Sequence, residues 1–157
     1  MRDIEDVMAG APALAGLERA HLEAVAACGG NEAVQAGTYL LREGQPAERF
    51  YLIRSGTVAL ETHAPGQGAI IIETLQPGEV LGWSWLFSPY RWQFDARAVQ
   101  ACSLVSFDAA CLRAKCDSDH ELGYELMRRF AQCIVERLQA TRLQLLDVYG
   151  GRPAGVR

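Results

Sequence analysis

Residues 37–60 read GTYLLREGQPAERFYLIRSGTVAL. Three short runs, Tyr39–Leu41, Phe50–Ile53 and Val58–Leu60, are rich in aromatic, β-branched and leucine side chains, and glycines 37, 44 and 56 separate them. Apolar runs this short between turn residues predict strands, because a helix needs a longer stretch with a 3.6-residue period. Arg54-Ser55-Gly56 between two of the runs predicts a hairpin. The punctuation continues outward through Gly66, Gly68, Gly78 and Gly82, with Ala69–Ile72 as a further strand and Ala98–Val99 and Ser103–Phe107 as closing strands. Turn signals about every ten residues predict an antiparallel sandwich, jelly roll or barrel over residues 31–107.

On both sides of this block the period becomes helical. Leu14, Leu17, Leu22 and Val25 recur at helical spacing, so residues 4–28 are expected to form a helix that Gly29-Gly30 stops, with His21 on its surface. After Asp108 a short helix, Ala109–Lys115, is expected, and Asp117-Ser118-Asp119 offers caps for a long helix over 121–149. Leu122, Leu126, Phe130, Ile134, Leu138, Thr141 and Leu145 repeat every three or four residues along it, with charged side chains, Arg137 among them, on the other faces. A small β-domain cannot cover so long a stripe. A homodimer through Leu122, Leu126, Phe130, Ile134, Leu138 and Leu145 is therefore expected, with Cys133 at the edge of the seam. The fold class is mainly β with flanking helices (α+β): an N-terminal helical segment (1–30), a jelly-roll-like β-roll (31–107), a short and a long helix (108–149), and a disordered tail (150–157).

Composition narrows the function. A chain of 157 residues, half of them hydrophobic, makes one domain with an appended helix. Its net charge of −4 provides no basic field for nucleic acid. Five cysteines without a CxxC pair, and an N-terminus with no apolar signal region, point to small core thiols in a reducing cytoplasm. No apolar run approaches the ~20 residues of a membrane span. No Ser-His-Asp order, paired-carboxylate motif or Walker loop appears, so the chain is read as a non-enzyme, and no metal site is expected.

The densest chemistry lies in residues 77–98, PGEVLGWSWLFSPYRWQFDARA, which hold all three tryptophans of the chain. Six interleaved aromatics with Arg91 and Arg97 suit a flat or apolar ligand carrying some negative charge, held by stacking and cation–π contacts. A bulky loop covering a corner of the core uses the same residue types.

The residues quoted at the outset carry a resemblance. Gly37-x-Tyr-Leu-Leu-Arg-Glu-Gly44, then Phe50-Tyr51-Leu-Ile, then Ser55-Gly56-Thr-Val-Ala-Leu resembles the cyclic nucleotide-binding domain family, the effector domain of the catabolite-activator and fumarate-nitrate-regulator class. The likeness runs over roughly residues 14–147. It implies a β-roll with a long C-terminal helix that commonly pairs in dimers, and a phosphate-binding cassette at 78–98. In the family's cassette, helix N-terminal amides and one arginine hold a cyclic phosphate while a glutamate accepts from the ribose 2′-hydroxyl.

Here the frame stays and the chemistry departs. Leu81-Gly82 matches the family's Phe-Gly, but Trp83 stands at the glutamate position and Trp92 or Gln93 at the arginine position. Arg91, one or two positions away, is then the expected anion anchor, and Asp95 a contact to a sugar hydroxyl from another side. The expected ligand-binding set is Ile70, Ile72, Leu81, Gly82, Trp83, Ser84, Trp85, Arg91, Trp92, Gln93, Phe94 and Asp95. No cofactor is fixed by the sequence. A cyclic nucleotide or another small anionic or aromatic ligand is expected, with cyclic AMP and GMP disfavoured. The expected function is a stand-alone sensor signalling through its long helix to a protein partner. The alternatives are a ligand-free dimerisation scaffold with its pocket plugged by Trp83, Trp85 or Trp92, and the effector fragment of a transcriptional regulator. Relatives with a helix-turn-helix place it after the long helix, where this sequence has only residues 150–157, so direct DNA binding is not expected.

Overall fold

A computed structural model describes residues 2–150. Helices α1 (Arg2–Gly10) and α2 (Arg19–Ala26) precede eight strands: β1 (Gly29–Val34), β2 (Tyr39–Leu41), β3 (Arg49–Ser55), β4 (Val58–Ala64), β5 (Gly68–Leu75), β6 (Val80–Leu81), β7 (Asp95–Ala98) and β8 (Cys102–Asp108). Helices α3 (Ala109–Ser118) and α4 (His120–Gly150) follow. Every strand pairing is antiparallel, in two four-stranded sheets ordered β1-β8-β3-β6 and β2-β7-β4-β5. This is the expected β-roll with α-helices only before and after it. The tail expected from residue 150 falls outside the described residues, except that Gly150 closes α4.

The N-terminal segment departs from the single helix expected. Pro12 disfavours helical geometry at the residue before it and α1 ends at Gly10, while Gly16 takes φ +83°, so the chain turns before α2 begins. The turn brings Leu14 into the core together with Met8 and Val25.

Cys28 and Cys111, expected as separate thiols, form a disulfide. Spacing could not show this, because 83 positions part them; the fold joins them by setting the end of α2 against α3. The backbone clasps the same place, where the Asp108 amide donates to the Cys28 carbonyl at 2.9 Å. Burial pushes the thiols of Cys102, Cys116 and Cys133 above their ordinary range.

The core runs between the sheets and on beneath the helices. Phe50 of β3 stacks on Phe107 of β8 and on Trp85, with ring centroids 4.6 and 5.0 Å apart. Phe130 of α4 closes the group edge-on, at 5.1 Å from Phe50 and 5.4 Å from Trp85. The residues expected at a dimer seam divide into two groups. Leu122, Leu126 and Phe130 are buried in their own protomer, because the open end of the roll leaves apolar surface that the first turns of α4 cover. Ile134 is half-buried, and Leu138 and Leu145 are exposed.

Candidate functional site

The cassette leaves β6 at Gly82, makes one 3₁₀ turn (Ser84–Leu86), and returns through residues 87–94 to β7. Gly82 has φ +95°, and a Cβ there would stand 2.6 Å from the Trp92 ring, so this close approach requires glycine. The Trp92 indole, buried, therefore lies against the turn at one of the two positions matched to the family's phosphate arginine. Trp85 is fully buried in the aromatic group described above, and its carbonyl accepts from Arg113 Nη1 at 2.9 Å. Leu81 and Ser84 are buried. These four residues form the cassette's foundation rather than open walls.

Arg91, the expected anion anchor, ties the cassette to the neighbouring turn. Its Nη1 donates to the Gly44 carbonyl at 2.8 Å, and its backbone bridges Pro46. Gln93 is exposed and donates to the Arg91 carbonyl at 3.3 Å. Tyr90, with φ 57°, sits in the left-handed region, and its carbonyl accepts from the Ala47 amide at 2.7 Å.

The sheet β2-β7-β4-β5 separates the remaining candidates by face. Leu60 pairs with Ala96 and Val58 with Ala98, all four in the core. Alternation puts Glu61, paired with Asp95, on the opposite face. Asp95 is buried there, accepts from the Glu43 amide at 2.7 Å, and has His63 Nδ1 at 3.0 Å and Arg42 Nε at 3.8 Å. Arg97 forks onto the buried Glu61 carboxylate at 3.0–3.3 Å. That contact holds the guanidinium above its ordinary range. Asp95 and Arg97 thus belong to a self-satisfied ion network and do not face the inside of the roll. Asp95, expected to contact a sugar hydroxyl from another side, is held by the Glu43 amide and His63.

What stays open on the inner side is apolar. Ile70 pairs with Thr62, one register step from the Glu61–Ile71 pair, so Ile70 lies on the face opposite Glu61, while Ile72 is the extra residue of a bulge between the Glu61–Ile71 and Leu60–Glu73 pairs; the two are 39% and 40% exposed. Trp83, half-buried, meets Phe94 edge-on at 6.1 Å. Above it lies a residue that sequence reasoning set on an outward face. Arg137 of α4 holds its guanidinium 4.6 Å from the Trp83 ring centre while its Nε bonds Glu73 Oε2 of β5 at 2.8 Å. One arginine thus joins cassette, sheet and long helix. Its signal in the sequence was faint: a single cation two turns past Phe130, at a site where the stripe turns from core to solvent. A cavity of about 710 Å³ opens beside this contact, between α4 and the β5–β6 connection, with Glu73, Glu79 and Arg137 in its lining and no residue of 82–98. Burial, and secondarily Glu73, hold the Glu79 carboxyl above its usual range.

The cyclic nucleotide-binding domain sequence model matches residues 31–119. No curated protein matches the chain in sequence. Among solved structures, a Geobacter metallireducens protein described as a cyclic nucleotide-binding protein is 25% identical at TM-score 0.78, covering 88% of this chain and 99% of its own. The N-terminal domain of a Streptomyces coelicolor transcriptional regulator is 23% identical at TM-score 0.69, covering 86% and 94%. The regulatory domain of Toxoplasma gondii PKA with cAMP is 21% identical at TM-score 0.64, covering 72% and 43%. With the family's sequence pattern spanning more than half the chain and the β-roll and long helix in place, the protein belongs to the cyclic nucleotide-binding domain family, whose fold is that of a ligand-sensing regulatory domain.

Proposed function

We propose that this chain is a non-enzymatic sensor that takes a small apolar or aromatic ligand at the mouth of the β-roll, against Trp83, Phe94, Ile70 and Ile72. It reports occupancy through α4 to a second copy of itself and to a protein partner. The Arg137 contact carries this reading. The guanidinium rests on the indole a ligand would stack on, and the same group holds α4 to β5 through Glu73. A ligand stacking on Trp83 replaces Arg137 and loosens the ion pair, so binding and helix position are linked; the ligand shifts the helix only by its differential affinity for the two arrangements.

Cyclic AMP and GMP fit this site poorly. Trp83 and Trp92 supply neither the carboxylate for a 2′-hydroxyl nor the guanidinium for a phosphate, and Arg91 is engaged by the Gly44 carbonyl. Each buried polar group left unpaired costs about 1–3 kcal/mol. Calorimetry with cyclic AMP and cyclic GMP tests this: no heat at micromolar protein is expected, and micromolar binding abolished by Arg91→Ala would overturn it. A panel of aromatic carboxylates followed by Trp fluorescence tests the sensor reading itself. The packing of Trp92 on Gly82 favours a second reading, a scaffold with a plugged pocket. In that case Trp92→Ala opens a cavity that accepts a nucleoside while the wild type binds nothing.

A further inference from the structure

We propose that Glu18, His21 and Glu121 form a site for a divalent transition cation of the zinc class, which staples the start of α2 to the start of α4. His21, expected on the surface, is 6% exposed, and its Nδ1 is buried with no hydrogen-bond partner among the described residues. Its Nε2 stands 3.7 Å from Asp119 Oδ2. A buried imidazole nitrogen without a partner is costly and calls for one. Glu18 lies three residues before His21, on the same side of the helix, and Glu121 enters from α4. One ligand atom from each of the three lies within 4.8 Å of the others. Two ligands about 2.1 Å from one cation stand roughly 3–4 Å apart, so carboxylate rotation of about an ångström completes the set.

The acids are not otherwise engaged. Glu18 is the N-cap residue of α2 yet makes no side-chain capping bond. Neither Glu18 nor Glu121 has an ion-pair partner among the described residues. The three residues line one recess of about 200 Å³. The two cations of that recess, Arg128 and Arg129, are directed to Glu125 at 3.1 and 3.6 Å, and Arg129 also donates to the Ala13 and Ala15 carbonyls. Glu18 and Glu121 thus flank the imidazole in the recess, and Asp119 stands beside its Nε2, while the two guanidiniums are directed to Glu125 and to backbone carbonyls. One imidazole with carboxylates suits zinc, manganese or cobalt, whereas magnesium and calcium prefer oxygen alone.

Zinc titrated calorimetrically into the chelator-treated full chain is expected to bind at one site per chain and to raise the melting temperature. Both effects should weaken at least tenfold in Glu18→Gln and in Glu121→Gln, exposed positions where neutral isosteres keep the fold, and remain in Glu23→Gln. Cobalt(II), bound at the same site, should give a visible absorption band that is lost in the same two variants. No binding by the wild type overturns the proposal, as does binding unchanged in either Gln variant, which would assign the metal to the thiols or to His63.

Discussion

At Trp83 and Trp92 one side-chain type does two jobs, and the surroundings decide which. Trp92 is wedged against a glycine that no other residue could replace without moving the ring, so Gly82→Ala adds both a clash at 2.6 Å and a left-handed backbone penalty. We expect that substitution to cost more than 2 kcal/mol in urea unfolding. Trp83, half-buried, is instead held from above by the Arg137 cation. Arg137→Ala is expected to change tryptophan emission at room temperature while costing about 1–2 kcal/mol, the scale of a partly buried cation–π contact plus an ion pair. An unaltered spectrum in Arg137→Ala would separate the helix from the cassette and remove the proposed linkage.

At the level of elements, the long helix has two halves with different partners. Its apolar stripe is continuous in the sequence, and periodicity reports only that a face is apolar, not what covers it. The β-strands were legible because glycine positions such as Gly37, Gly44 and Gly56, all with positive φ, mark where the chain must turn. Pro12 and Gly16 mark the break between α1 and α2, although the leucine spacing runs at helical period across it. The face of Asp95 and the pairing of Cys28 with Cys111 depend on register and on contacts across the fold, which no local pattern encodes. Since the first half of α4 is core, Phe130→Ala should destabilise the fold by about 3–5 kcal/mol through the cavity left between Phe50 and Trp85. The disulfide predicts three thiols reactive with Ellman's reagent in denatured, unreduced protein and five after reduction. In the native protein those three should react slowly at neutral pH, since burial raises their pKa and leaves little thiolate.

For the whole molecule, we expect assembly to rest on the second half of α4. Val135, Leu138, Leu145 and Tyr149 are 45–70% exposed and follow a three-four spacing, with Arg142 completing the repeat. Large apolar side chains aligned this way on a helix clear of its own domain mark a seam for a second helix. The seam is short. About fifteen residues at 1.5 Å each span roughly 22 Å, only two heptads. Two heptads are marginal alone, so we expect a reversible dimer that dissociates at low micromolar concentration rather than an obligate one. The two halves of the helix should then separate by mutation. Leu138→Glu with Leu145→Glu should yield a folded monomer of unchanged circular dichroism. Leu126→Glu, which puts a charge into the protomer's own core, should unfold the chain instead of splitting it. Sedimentation velocity over a hundredfold range of concentration reads both outcomes. Monomer mass for the wild type throughout that range would leave the exposed stripe to a different protein partner, and a dimer that survives the double glutamate variant would place the interface elsewhere on the β-roll.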